Sequence, residues 1–299
     1  MSTTPTFALA PTFLGVARTD RDARACVAGI PFDLGTTNRS GARFGPEAIR
    51  RASRMLVDGD HPGRRVDPAA GVSDIGNLAL SVGDLRGSLD LIEAEAREVP
   101  HLVALGGDHS VTLALLRALA RRTGPLALVH FDAHVDTWPD NSGQIHAHGS
   151  VFYHAIEEHL VEPRRMIQIG IRSPVDRDVF DWTLTRGVTV VTAEDVHEQG
   201  PRAIADRIRS VVGDAPCYLS FDIDALDPAF APGTGTPEVG GLASWQVQSI
   251  LRRLANLRFV GMDVVEVAPA YDVAEITALA AATVVYDYLS LAAVTCEPR

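Results

Sequence analysis

Carboxylates and imidazoles crowd four short stretches of this sequence, each directly after an apolar run. Leu102–Leu105 leads into Gly106-Gly107-Asp108-His109-Ser110, and Leu126–Phe131 leads into Asp132-Ala133-His134-Val135-Asp136. Tyr218–Phe221 leads into Asp222-Ile223-Asp224, with Asp227 and Pro228 beyond, and Phe259–Val265 ends at Glu266. At a strand end, residues i, i+2 and i+4 project to one side. Asp132, His134 and Asp136 can therefore face one cavity, as can Asp222 and Asp224. Four or more carboxylates in one cavity cannot all stay ionised unaided, because each raises the pKa of the others. Two divalent cations sharing bridging carboxylates remove that cost. Mixed imidazole and carboxylate ligation suits Mn²⁺, with Fe, Co, Ni and Zn less favoured. Singly, each motif has a plain structural reading: an Asp-x-Asp as a turn or cap, and Gly-Gly-Asp-His as a strand-to-helix turn in which Asp108 serves the backbone. Three such motifs, each behind its own apolar run, favour metal ligation.

The elements that must present these groups follow from the runs themselves. Further apolar runs occur at Cys26–Ile30, Met166–Ile171 and Val188–Thr192. None alternates with polar residues, as expected for strands covered on both faces. Between the runs lie amphipathic patterns such as Ser110–Arg122 and Pro201–Val212, and Pro46 marks a helix start at Gly45–Arg50. Strand and helix alternate through most of the chain, which predicts an α/β fold: three α/β/α layers around a mostly parallel central sheet. Ligands in such sheets sit outside the carboxyl ends of the strands, where the polar motifs fall.

Bulk composition narrows the function. The 299 residues are 46% hydrophobic, with no linker-like or repetitive stretch, so one domain over 1–299 is expected, with 1–24 as an N-terminal extension. All 27 basic residues are Arg, and 38 acidic residues make the net charge −11. That field repels nucleic acid and is compatible with a small cationic substrate. Cys26, Cys217 and Cys296 form no pair in sequence, which fits a reducing compartment. Met1–Ala10 is not a signal peptide, and the apolar segment Ile276–Val294 carries Asp287 and small residues, so it reads as a buried helix rather than a membrane span. A cytoplasmic protein without a membrane partner is the expectation.

With these motifs assembled, the sequence resembles the ureohydrolase family of arginases, agmatinases and related amidinohydrolases. The resemblance runs from about Pro31, begins at Ser40-Gly41-Ala42-Arg43-Phe44-Gly45-Pro46, and is most specific in GGDHS, DAHVD and SFDIDALDPAFAPGTGTPEVGG. The stretch VGMDVVEVAPAYDVAEITALAAAT looks especially like bacterial agmatinases, as do LVHFDAHVDT and MIQIGIR. It implies an arginase-like fold, a homo-oligomer (trimer or hexamer) and a site for two Mn²⁺. His109, Asp132, Asp136 and Asp222 would hold one ion. Asp132, His134, Asp222 and Asp224 would hold the other. A hydroxide bridging the two would attack the guanidinium carbon, with Asp224 accepting its hydrogen bond. Glu266 would orient the planar guanidinium through two parallel N–H bonds. His148, in His146-Ala147-His148-Gly149, would pass a proton to the leaving amine, a role suited to a near-neutral pKa. Arg43, Tyr153, Asp227 and Asp272 are candidates for shaping the pocket, and His146 is the weaker of the two loop histidines.

The substrate depends on what meets its tail. The loop Thr137–Ala147 lacks the polar run with which arginases hold an amino acid, so agmatine, giving putrescine and urea, ranks ahead of guanidinobutyrate and other guanidino acids. A different class of reading is a non-catalytic metal-binding subunit of a mixed oligomer. The complete ligand set, with Glu266 and His148, speaks against it.

Overall fold

The computed structural model describes residues 4–295; Cys296 falls outside them. In chain order the strands and helices are β1 (Ala25–Gly29), α1 (Gly45–Ser53), β2 (Val72–Asn77), α2 (Leu85–Ala96) and β3 (Leu102–Leu105). Then come α3 (Val111–Thr123), β4 (Leu126–Phe131), α4 (Val151–Glu157), β5 (Val161–Ile171), α5 (Arg177–Thr185) and β6 (Thr189–Thr192). The last third contributes α6 (Ala193–Val212), β7 (Cys217–Asp222), α7 (Ser244–Leu251), β8 (Phe259–Val265) and α8 (Ile276–Thr295). The strands form one sheet in the order β2-β1-β3-β8-β7-β4-β5-β6, and every neighbouring pair is parallel.

Alternation along each strand divides the core into two layers. Val103, Leu105, Val129, Phe131, Leu219 and Phe221 face the layer that holds α1, α6, α7 and α8. Leu102, Ala104, Leu126, Leu128 and Tyr218 face the layer built on α2, α3 and α4. Both faces are dry, which is why the strands read as unbroken apolar runs. Strand β2 escaped that reading because its sequence, VSDIGN, is polar and it pairs only with β1 at the sheet edge. Helix α6 begins before its expected Pro201 start. Thr192 and Asp195 form a capping box, and Gly200 at φ 76° bends the helix ahead of Pro201.

Helix α8 is apolar and long enough to cross a membrane, yet 61% of its most apolar window is buried within the protein. Its fully buried Asp287 takes hydrogen bonds from Arg252 Nε (3.0 and 3.1 Å) and contacts His61 Nε2 at 2.9 Å. It packs against α1 and α7 as a core helix. Part of the expected N-terminal extension is also in the core: Phe13 and Leu14 are buried, and Phe13 N donates to Asp74 Oδ2 at 2.7 Å.

Asp74 in turn takes two parallel bonds from Arg50, Nε to Oδ2 at 2.8 Å and Nη2 to Oδ1 at 2.9 Å, tying α1 to β2 and the N-terminal segment. Both side chains are nearly inaccessible to water. Removing one partner of a buried pair strands the other charge, at a cost of about 3–5 kcal/mol. Arg50→Ala should lower the unfolding free energy in urea by that amount; a loss below about 1 kcal/mol would show that the pair does not hold these elements together.

Candidate metal centre

Strands β3, β8, β7 and β4 are consecutive in the sheet, so GGDHS, Glu266, Asp222-Ile223-Asp224 and Asp132–Asp136 meet at one carboxyl edge. His109, Asp132, Asp222, Asp224 and Glu266 are all buried there. Two of the gathered residues adopt left-handed backbone: Asp136 at φ 50° and Glu266 at φ 63°. Non-glycine residues hold that conformation where the surroundings impose it, often at functional sites.

Two donor groups share Asp132. His109 Nδ1 lies 3.2 Å from Asp132 Oδ2, 3.0 Å from Asp136 Oδ2 and 3.2 Å from Asp222 Oδ2. On the other side, His134 Nδ1 lies 3.2 Å from Asp132 Oδ1 and 3.1 Å from Asp224 Oδ2. The two oxygens of Asp132 therefore face different histidines, as a bridging carboxylate would. Asp222 meets His109 through Oδ2, while its Oδ1 accepts from Asp224 N at 2.9 Å. Among the described residues its contact with the His134 group is through that backbone N–H alone.

Donor chemistry fits divalent cations. His109 Nδ1 is buried without a well-formed hydrogen bond, because its other nitrogen, Nε2, is the one engaged, by Ser220 Oγ at 2.8 Å. Neighbouring donors around a small six-coordinate ion lie roughly 3 Å apart, the spacing seen around both histidines. The protein's own charges are strained. Burial, together with Asp224 and Asp132, pushes the Asp222 carboxyl well above the usual range. Burial also raises Asp132, but His130, His109 and His134 outweigh it and hold that carboxyl well below. Burial opposes charge on His134, yet Asp224 and Asp132 push its pKa up to about 12. Without cations, protons must balance these carboxylates; divalent ions would do so without protonating any ligand.

Glu266 and His148 form one unit beside the cluster. Glu266 Oε1 accepts from His109 N at 2.9 Å and meets His148 Nδ1 at 2.8 Å, while Oε2 is buried without a partner. Thr37 N lies 3.2 Å and Thr37 Oγ1 2.7 Å from His148 Nε2, so the neutral ring carries its proton on Nδ1, facing Glu266, and the protonated ring can donate from Nε2 to Thr37 Oγ1 as well. Burial would lower the His148 pKa, but Glu266 pushes it up to about 9, above the near-neutral value expected for a shuttle. A cleft of about 230 Å³ opens between His148 and the cluster, with Trp138, Asn141, Ser173 and Thr236 along its walls.

The family profile described as "Arginase family" matches residues 23–290. This chain belongs to the arginase family. It is 46% identical to an agmatinase of Cronobacter sakazakii, over 92% of this chain and 89% of that one. A crystal structure of a hypothetical agmatinase from Burkholderia thailandensis superposes with a TM-score of 0.90 at 44% identity, covering 96% of this chain and 92% of that one. The proclavaminate amidino hydrolase of Streptomyces clavuligerus superposes with a TM-score of 0.91 at 41% identity, covering 97% and 99%. Arginase-family enzymes are binuclear metal-dependent, and this member has the candidate ligands for such a centre.

Other expected residues in this arginase-family chain lie outside the cleft lining. Asp108 does serve the backbone: it accepts from Gly35 N at 2.7 Å and from Ser110. Asp227 accepts from Ala229, Gly240 and Gly241 N–H groups, and Asp272 accepts from Thr277 and Ala278 N at the start of α8. Tyr153 packs on Trp182 at 4.8 Å, and His146 packs edge-on to His154, on the far side of its loop from His148. Two residues lacked any assigned role in the sequence. Arg172 donates to the carbonyls of Asp224 (2.8 Å) and Glu238 (2.7 Å), clamping the loop after β7. His130, two residues before Asp132 and on the same strand face, lies 2.8 Å from Asp132 Oδ2; that spacing was its only available signal.

Arg43 shapes the loop that carries Thr37. Its Nε donates to Asp33 Oδ1 at 2.6 Å, and Gly41 N donates to Asp33 Oδ2 at 2.9 Å. Burial pushes the Asp33 carboxyl up, but Arg43 and the Gly41 N–H outweigh it and hold it below the ordinary 3.8. A depressed folded pKa contributes stability above the unfolded value, lost as pH falls through the folded one. Arg43 is half exposed, so Arg43→Ala should cost about 1 kcal/mol at pH 7. The difference from wild type should shrink below pH 3.8. Unfolding curves at pH 7 and pH 3 check this; an equal loss at both would assign the effect to packing.

Proposed function

We propose that this protein hydrolyses agmatine to putrescine and urea, as an amidinohydrolase cleaving a C–N bond of the guanidino group. The observation that carries this reading is Glu266 Oε2, a buried carboxylate oxygen without a partner beside the candidate ligands. A planar guanidinium supplies paired N–H donors for such a group. The tail follows from the cleft. Among the described residues that line it, none is Arg, so a carboxylate tail finds no guanidinium to pair with there, whereas the protein's net charge of −11 favours an ammonium. The 46% identity to an agmatinase supports the same choice. A guanidino acid is the second reading, favoured by the likeness to the proclavaminate amidino hydrolase.

In this reading His109, Asp132, Asp136 and Asp222 hold one Mn²⁺, and Asp132, His134, Asp222 and Asp224 hold the second. When bound, the cations lower the pKa of water so that a nucleophile exists near neutral pH. Glu266 fixes the plane of the guanidinium, with Oε1 already held by His109 N–H. His148 in its doubly protonated form gives one ring proton to the departing amine and is left as the neutral ring with its remaining proton on Nδ1, toward the same carboxylate. In the protein without cations burial lowers the His148 pKa but Glu266 pushes it up to about 9, which favours the protonated donor at neutral pH. Asp224, fixed by Ala133 N at 3.0 Å and Thr236 Oγ1 at 3.2 Å, is placed to accept the hydrogen bond of the attacking water. The reading includes assembly into a trimer or hexamer.

Urea release should be measured from agmatine, guanidinobutyrate, guanidinopropionate and arginine in parallel, with Mn²⁺ and with a chelator. Agmatine should be preferred and chelation should abolish turnover. Preference for a guanidino acid overturns the tail assignment, and no urea from any of the four overturns the reading. Glu266→Gln should lower kcat/KM for agmatine by roughly 10²–10³ while leaving the metal content at two ions per chain.

A further inference from the structure

Behind the candidate ligands lies a second row of polar side chains. Gln168, His130, Ser220 and Asp263 stand at matched register on β5, β4, β7 and β8, one strand step below the carboxyl edge. All four are fully buried. Ser220 and Asp263 back His109 through hydrogen bonds of 2.8 Å each. The other arm, Gln168 and His130, meets Asp132.

The protonation of that arm is fixed by the backbone. Gln168 Nε2 lies 2.6 Å from the carbonyl of Val135, which can only accept, so the atom there must be the amide nitrogen. The same nitrogen lies 3.1 Å from His130 Nδ1 and donates to it. Nδ1 is therefore an acceptor and the ring proton is on Nε2, which donates to Asp132 Oδ2 at 2.8 Å. This excludes His130 as a direct ligand through Nε2, although His109, His130 and Asp132 each bring a potential ligand atom within 4.8 Å of the others. Ligation would move the proton to Nδ1 and set it against the Gln168 amide. Gln168 keeps this orientation although its Oε1 is left buried and unpaired, a cost that packing alone does not reward.

We propose that His130, locked by Gln168, is a positioning residue that sets the plane of Asp132. Its N–H holds Oδ2 on the His109 side, while His134 N holds Oδ1 from the opposite side at 2.6 Å. The carboxylate then presents one oxygen to each candidate cation. The inference rests on the reading of the cluster as a two-cation centre.

The test is Mn²⁺ binding to stripped, full-length protein by equilibrium dialysis, with circular dichroism to verify folding. Wild type should bind two ions per chain. His130→Phe keeps a ring but loses the N–H, and should weaken the ions that share Asp132 by 10–100-fold. His130→Gln restores a donor at similar reach and should recover most of that loss. Gln168→Leu should weaken binding less, and should diminish the electron paramagnetic resonance signature of a coupled ion pair. Unchanged affinity in His130→Phe overturns the proposal, as does a His130→Gln variant no better than His130→Phe. If His130→Phe does not fold, unchanged affinity in Gln168→Leu overturns it. Fewer than two ions on wild type brings down the two-cation reading itself, a result distinct from any difference among the variants.

Discussion

Carboxylates repel one another, and this fold gathers at least five at the edge of four central strands: Asp132, Asp136, Asp222, Asp224 and Glu266. Water cannot relieve them, because most are buried. In the protein alone the relief is protonation, visible in the raised Asp222 carboxyl and in His134 driven to about 12. Such a cluster is expensive to fold for its own sake and makes sense as a receptor for positive charge. Much of the surrounding structure holds that unfavourable arrangement in place.

Fixed donors do this work. Asp132 takes His134 N, Asp222 takes Asp224 N, Asp224 takes Ala133 N, and Glu266 takes His109 N. Each is a backbone N–H from a neighbouring turn, so the carboxylates are oriented before any cation arrives. Further out, Arg172 ties the β7 loop through carbonyls, while Asp33 and Arg43 shape the loop that brings Thr37 to His148. The strained backbone at Asp136 and Glu266 belongs to the same economy: the turns are shaped by where their side chains must point. Glu266 thereby joins the two halves of the site, touching His109 on one side and His148 on the other.

Legibility in the sequence varied with burial pattern. Strands β3, β4 and β8 could be bounded residue for residue, because a strand covered on both faces must be apolar throughout. Strand β2, at the sheet edge, carries no such mark. The candidate ligands were legible for a related reason: polar residues directly after dry strands stand out, and their alternate spacing reports a shared direction. Arg172 and His130 were not, since an arginine on a loop or a histidine inside a strand has many ordinary explanations. Only partners distant in sequence give either a role.

The sequence by itself determined the local chemistry: which groups end each strand, which way alternate residues point, and that a parallel α/β sheet would carry them. Those are properties of short segments, set by alternation and by the cost of leaving polar groups dry. Strand order belonged to the tertiary structure. Placing β8 and β7 between β3 and β4 brings His109, Glu266, Asp222 and Asp132 within one cavity, although they are separated by up to 157 positions in the chain. The split of Asp132 between two histidines, the unpaired oxygen of Glu266 and the Gln168–His130 lock likewise depend on register between strands. Register is decided by how whole faces pack, and a segment does not carry that information alone.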